Sequence, residues 1–322
     1  MISLKSKSNI IIYGSSGYIG SNFIDSLNSK GFEYTSVSRR KSINSKNHLR
    51  INSYSSINLP KKVLKSNKDN ILFYLCSETS VSNVNDNVEK NLKDSLDPLI
   101  ALFRYVVKNN VLLKIVFTST VTIFGSNLAK IDQLSKPNPE TFFDAHKLFV
   151  EQYLQIFSQS KFFKYLIIRL PNIYGSGLEA ISKKTDRGIL NKIILNSINN
   201  DKFLYIYGDG NYYRDFIYIE DLSILLTRII EVNIKENMIA NLNSNEKTTL
   251  NDFFKILKLV LKNNGIIRKI KHIPWPNYAL PINKRSYHIK DQTLFKIYDW
   301  KPQVNLKKGI YETIKFFKNK NY

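Results

Sequence analysis

With 322 residues, 43% of them apolar, and no low-complexity tract, the chain can bury a sizeable core, which excludes a disordered protein. A single cysteine excludes an internal disulfide framework, and four scattered histidines make no metal-binding spacing. The net charge of +22 is carried mostly by singly scattered lysines, with only 10 of 48 basic residues being arginine, and no helix-turn-helix, zinc-finger or aromatic RNA-binding signature accompanies it, so no nucleic-acid partner is expected.

The first half alternates short apolar strands with amphipathic helices, the pattern of a parallel sheet wrapped by helices. "NIIIYG" predicts strand one, and "YIGSNFIDSLNSKG" a helix with Phe23, Ile24 and Leu27 on one face and Gly31 at its end. "EYTSVS" predicts strand two, "ILFYLC" a buried strand, and "LIALFRYVVKNN" a long helix. Next come the strand "LKIVFTST", the helix "AHKLFVEQYLQIFSQS" and the strand "FKYLIIRL". After residue 175 the rhythm breaks into the loop "GSGLEAISKKTDRG", a helix and the turn "YGDGNYYRDF", which predicts a second, smaller domain. The apolar runs are too short and too charged to span a bilayer, and "MISLKSKSNI" has no secretory pattern. A cytoplasmic protein without a membrane partner is expected.

"IIIYGSSGYIGSNF" places Gly14, Gly17 and Gly20 between a strand and a helix. In such a turn the first glycine permits the reversal, the second lets backbone approach a pyrophosphate, and the third allows close helix–strand packing. Ser16, Tyr18 and Ile19 then present backbone N–H groups at the positive end of the helix. At the end of strand two an acid would select the ribose hydroxyl of NAD, whereas arginine suits the 2′-phosphate of NADP. The chain has Ser38 there, followed by Arg39 and Arg40, which favours NADP(H), with NAD(H) as the alternative.

The later motifs extend this reading. "FYLCS" (73–77), Asn91, "FTSTVTIFG" (117–125), "RLPNIYGSG" (169–177), "GDGNYYRDFIYIEDL" (208–222), "NLNS" (241–244) and "DQTLFKIYDWKPQVNLKKGI" occur in that order. Together they resemble the extended short-chain dehydrogenase/reductase family, and more narrowly its nucleotide-sugar epimerase/dehydratase branch. The resemblance implies a Rossmann-type, doubly wound α/β domain over 1–174 with a returning segment near 214–242. A smaller nucleotide-sugar-binding domain is expected over 175–322. It also implies cofactor contacts from Leu75, Cys76, Asn91, Thr118, Lys147 and Pro171, and a homodimer paired through helices near 92–110 and 145–159.

The chemistry of that family needs a Tyr-x-x-x-Lys pair, one helical turn apart, with a nearby Ser or Thr. Thr120 and Lys147 match, but four residues before Lys147 stands Phe143, which has no hydroxyl. "YETIK", Tyr311 to Lys315, has the right spacing but lies in the final amphipathic helix and is read as a decoy. Three explanations of Phe143 stand open: deliberate Tyr→Phe replacement, natural divergence with His146, Thr120 or water moving the proton, or a binding protein that has lost catalysis. His146 itself is read as structural or exposed, being about 100° round the helix from Lys147. Asp132, Asp144 and Glu151 are expected to be caps and solvated charges. Dehydration is not expected, because Val121 and Thr122 stand where family dehydratases carry Asp-Glu. A 4-ketoreductase, a C4 dehydrogenase or a 4-epimerase remains, and the resemblance implies that Thr120, Asn172, Arg214 and Arg285 meet a nucleotide-diphosphate sugar.

Overall fold

The strand expected at "NIIIYG" forms over Ser8–Tyr13 and lies inside a seven-stranded sheet. Across that sheet the order is Met238–Asn241, Phe163–Leu170, Leu113–Thr120, Asp69–Tyr74, Ser8–Tyr13, Thr35–Ser38 and His48–Arg50. The computed structural model describes residues 8–41, 44–177, 188–199 and 202–320, so most of the expected 175–188 loop lies outside the described residues. Ser8–Tyr13 pairs in parallel with Thr35–Ser38 on one side and with Asp69–Tyr74 on the other, and Asp69–Tyr74 pairs in parallel with Leu113–Thr120. Ile11, Ile12, Leu72, Phe73, Ile115 and Val116 are fully buried. Strands covered on both faces read as continuous apolar runs, which is why these were legible without alternation.

Two elements differ from expectation. The long helix begins at Val88 and runs to Asn109, carrying Pro98 in its interior, with Leu96, Leu99, Leu102 and Val106 on its buried face. A proline usually ends a helix pattern, but packing of this apolar face carries the helix through it. The edge strand His48–Arg50 has only three half-buried or exposed residues, so no apolar run announced it.

The chain divides into two compact units: Met1–Thr120, Thr141–Arg169 and Ser223–Ala240 form the first, and Val121–Glu140, Leu170–Leu222 and Asn241–Tyr322 the second. Residues 121–140 leave the sheet because Lys130–Ile131 pairs in parallel with His288–Ile289. Asn172–Tyr174, just after that sheet's strand Phe163–Leu170, pairs instead with Phe216–Tyr218. Tyr213–Arg214 pairs antiparallel with Thr248–Thr249 inside the second unit.

Within the second unit, Phe203–Tyr207 and Lys269–Ile273 form a parallel pair, accompanied by helices Ile189–Asn199, Leu250–Asn263 and Leu306–Asn319. The last helix buries Ile310, Ile314 and Phe317 and leaves Tyr311 exposed, as an amphipathic segment should. Among the described residues no helix is long and apolar enough to cross a membrane.

Candidate active site

The glycine turn sits where strand Ser8–Tyr13 hands over to helix Tyr18–Ser29. Gly14 has φ +86, and a Cβ there would lie 2.7 Å from the backbone of both Leu75 and Cys76. A Cβ on Gly20 would collide with the Gly14 carbonyl oxygen, so this glycine is needed for helix–turn contact. No side chain caps the helix and no acid occupies its first turn, which leaves its positive end suited to an anion. Ser16, Gly17, Tyr18 and Ile19 are half-buried around it. These features fit a dinucleotide pyrophosphate.

Ser38 is buried, accepting a hydrogen bond from Ser15 Oγ at 3.0 Å and donating to the Arg40 carbonyl. Arg39 and Arg40 are exposed just beyond it. Of the residues that end the strand and follow it, Ser38, Arg39 and Arg40, none is acidic.

Lys147 lies on helix Phe142–Phe157, whose N-cap Thr141 accepts from the Asp144 backbone N–H. Its head group is buried and donates to Ser77 Oγ at 2.8 Å and to the Thr118 carbonyl at 2.8 Å. The ammonium also lies 4.9 Å from the Phe117 ring centre and 6.0 Å from that of Phe143. Burial pushes the Lys147 amine down to about 8, against weaker upward pulls from Cys76 and Glu151. Phe143, Lys147, His146, Ser77 and Asn91 line one small cavity within the first unit. Burial lowers the His146 imidazole below its usual value. The Asn91 amide nitrogen donates to the Asn83 and Asn87 carbonyls. Burial also pushes the half-buried Cys76 thiol up to about 12, so it stays protonated. Thr120 closes strand Leu113–Thr120, two residues beyond Thr118.

One side chain departs from expectation. Glu151 is not a solvated charge: it is fully buried and paired with Arg169 at 2.7 Å. Asp144 takes the expected place in a helix cap, where it is buried and accepts from Thr141 Oγ1 at 2.7 Å.

The second unit gathers cations. Buried Arg214 donates to the carbonyls of Arg285, Asn283 (2.9 Å) and Tyr213 (3.0 Å). The guanidinium carbons of Arg214 and Arg285 lie 5.9 Å and 5.7 Å from the Tyr287 ring centre. Asn172 Nδ2 donates to Tyr287 Oη at 3.2 Å, so Asn172, Arg214 and Arg285 meet around one aromatic ring. Pro171 immediately precedes Asn172 and is half-buried. Among the described residues neither arginine forms an ion pair with a carboxylate; adjacent Asp215 accepts instead from the Ser244 backbone N–H at 2.8 Å. Burial, with Arg285 adding repulsion, lowers Arg214 to about 10, and burial raises the Asp215 carboxyl to about 7.

Residues 10–242 match the model of the NAD dependent epimerase/dehydratase family. The chain belongs to that family. Over 324 residues it is 24% identical to a putative UDP-glucose 4-epimerase of Methanocaldococcus jannaschii, covering 97% of this chain and 99% of the relative. It is 26% identical over 232 residues to the dTDP-4-dehydro-6-deoxyglucose reductase of Escherichia coli, covering 71% and 69%. In fold it is similar to the UDP-glucose 4-epimerase of Thermotoga maritima, solved with UDP-glucose, with TM-score 0.82, 23% identity and coverage of 98% and 100%.

Sequence reasoning missed Ser77, Glu78, Ser95 and Tyr74 on the cavity wall and Tyr287 between the arginines. For Ser77 a signal existed, since it closes the quoted motif "FYLCS" with a hydroxyl. Nothing in sequence spacing linked Tyr287 to Arg214.

Proposed function

We propose that this family member is a nucleotide-sugar oxidoreductase acting at C4 of the sugar, an NADPH-dependent 4-ketoreductase whose proton-exchange position is occupied by Phe143. The observation that carries the reading is Lys147, buried and anchored one helical turn after a ring that lacks a hydroxyl. A buried ammonium without a carboxylate partner is costly, and its natural use is to steady an oxygen next to it. The nicotinamide cofactor supplies hydride chemistry when bound. The helix start at Gly17–Gly20 holds the pyrophosphate, and exposed Arg39 and Arg40 grip the 2′-phosphate. Thr120 hydrogen-bonds the oxygen on C4, while Asn172, Arg214 and Arg285 hold the diphosphate of the sugar nucleotide.

A second reading is a 4-epimerase that keeps NAD bound, favoured by the near full-length similarity to the archaeal putative UDP-glucose 4-epimerase. Dehydration has no support, because Val121 and Thr122 provide neither acid nor base. The test is Phe143→Tyr assayed for NADPH-dependent turnover on a panel of 4-keto nucleotide sugars and for interconversion of UDP-sugars. Turnover of the keto sugars supports the reductase, and interconversion without added cofactor supports the epimerase. A tyrosine variant that binds cofactor yet turns over nothing leaves a nucleotide-binding protein without catalysis.

A further inference from the structure

We propose that Ser77 is a positioning residue for Lys147, its hydroxyl holding the lysine head group at the cavity wall and passing a proton from it into the cavity. The inference rests on the C4 oxidoreductase reading, because it concerns how a proton reaches a site whose phenol is replaced by Phe143.

The geometry separates the two partners of Lys147 Nζ, each 2.8 Å away. The Thr118 carbonyl can only accept, whereas the Ser77 hydroxyl accepts from the ammonium and still has its own proton to donate. Ser77 and Lys147 both line the cavity that holds Phe143, and Lys147 is only 7% exposed. Of the two hydrogen-bond partners of Nζ, the hydroxyl is the one that can take a proton and pass another on. The Phe117 and Phe143 rings attract the ammonium but cannot take its proton.

Other groups facing Lys147 are engaged elsewhere. From the segment after strand Asp69–Tyr74, the Cys76 thiol is raised to about 12, and Glu78 accepts from the Thr79 and Ser80 backbone N–H groups and from Asn83. From its own helix, Glu151 is paired with Arg169 and the lowered His146 imidazole is an uncharged wall at neutral pH. In the relay the Ser77 O–H proton passes to the oxygen on C4 as that carbon gains hydride from the nicotinamide cofactor, and Ser77 takes a proton from Nζ. The Ser77 O–H bond and one N–H bond break, a new Ser77 O–H and the O–H of the product form, and the neutral amine is reprotonated by water from the cavity that it lines.

The test is an NMR titration of the lysine side chains in the full chain, with Lys147→Met identifying the Lys147 signal. Removing an acceptor of the ammonium favours the neutral amine. Ser77→Ala should therefore lower the Lys147 midpoint by about one pH unit, the equivalent of one hydrogen bond to a charged group. Ser77→Thr, which keeps the hydroxyl, should restore it. Should the alanine variant fail to fold, Ser77→Cys, a weaker acceptor, should give a smaller downward shift. An unchanged midpoint in a folded alanine or cysteine variant overturns the proposal. The titration needs neither cofactor nor sugar, so its failure counts against Ser77 alone, whereas inert Phe143→Tyr protein counts against the oxidoreductase reading.

Discussion

Among the described residues, buried Lys147 in the first unit and buried Arg214 in the second form no ion pair with a carboxylate, yet their surroundings differ. Burial brings the Lys147 amine to about 8, within reach of losing its proton near neutral pH, and one of its partners is a hydroxyl that can pass the proton on. Arg214 falls only to about 10 and stays charged. Its partners are carbonyls that orient it, and a second guanidinium flanks the same tyrosine ring. On the proposed reading the first cation moves a proton and the second holds an anion. On that reading, the residues that would hold the nucleotide are present, and the group absent from the proton-handling site is a hydroxyl at Phe143.

The sharpest way to break this contrast is Phe143→Tyr. Restoring the acid–base group should raise turnover on a 4-keto nucleotide sugar by roughly 10²–10⁴. Cofactor affinity, measured by calorimetry, should stay nearly unchanged, because the new oxygen belongs to proton transfer.

Next in size is the acid beside Arg214. Burial raises Asp215 to about 7 from an unfolded value near 4, so the folded protein holds a proton that the unfolded chain releases. Its contribution to stability is complete below pH about 4 and is lost progressively as pH rises to about 7, a change on the order of a few kcal/mol. Asp215→Asn should remove this part of the pH dependence in denaturant melts at pH 4, 5.5 and 7. If both proteins lose stability in parallel, Asp215 is not the buried acid described here.

Arg214→Ala should weaken UDP binding roughly 10- to 100-fold, the scale of hydrogen bonds to a charged group. Lys147→Met should leave UDP binding close to wild type. Equal losses in the two variants would erase the division between anion-holding and proton-moving cations. The smallest effect is expected at the exposed strand end, where Arg39→Ala with Arg40→Ala should cost NADP about 10-fold in affinity and NAD much less. Equal titration curves for both cofactors, before and after substitution, would remove the NADP preference.

Much of the fold was legible because its signals are local. Continuous apolar runs marked the central strands, and Gly14, Gly17 and Gly20 marked the turn at the end of the first one. Helix Phe142–Phe157 was visible from its periodicity, and with it the spacing between Phe143 and Lys147. The start of helix Val88–Asn109 was not, because Pro98 reads as a stop until the packed face is known. The edge strand His48–Arg50 escaped because three mostly exposed residues carry no pattern. Glu151 read as solvated because nothing in the sequence says that Arg169, 18 positions later, folds onto it.

By itself the sequence determined the class of fold, the glycine turn, the family resemblance and the absence of an oxygen at Phe143. These depend on residue identity and on spacings of a few positions, which the backbone converts directly into a turn or a helix face. Only the tertiary structure decided that Ser77 meets Lys147 across 70 positions of chain, and that Arg214 and Arg285 flank Tyr287 without a carboxylate between them. It also decided that residues 121–140 belong with the second unit. Such contacts join distant segments through burial and unpaired charge, and no local pattern encodes how much water is excluded around a side chain.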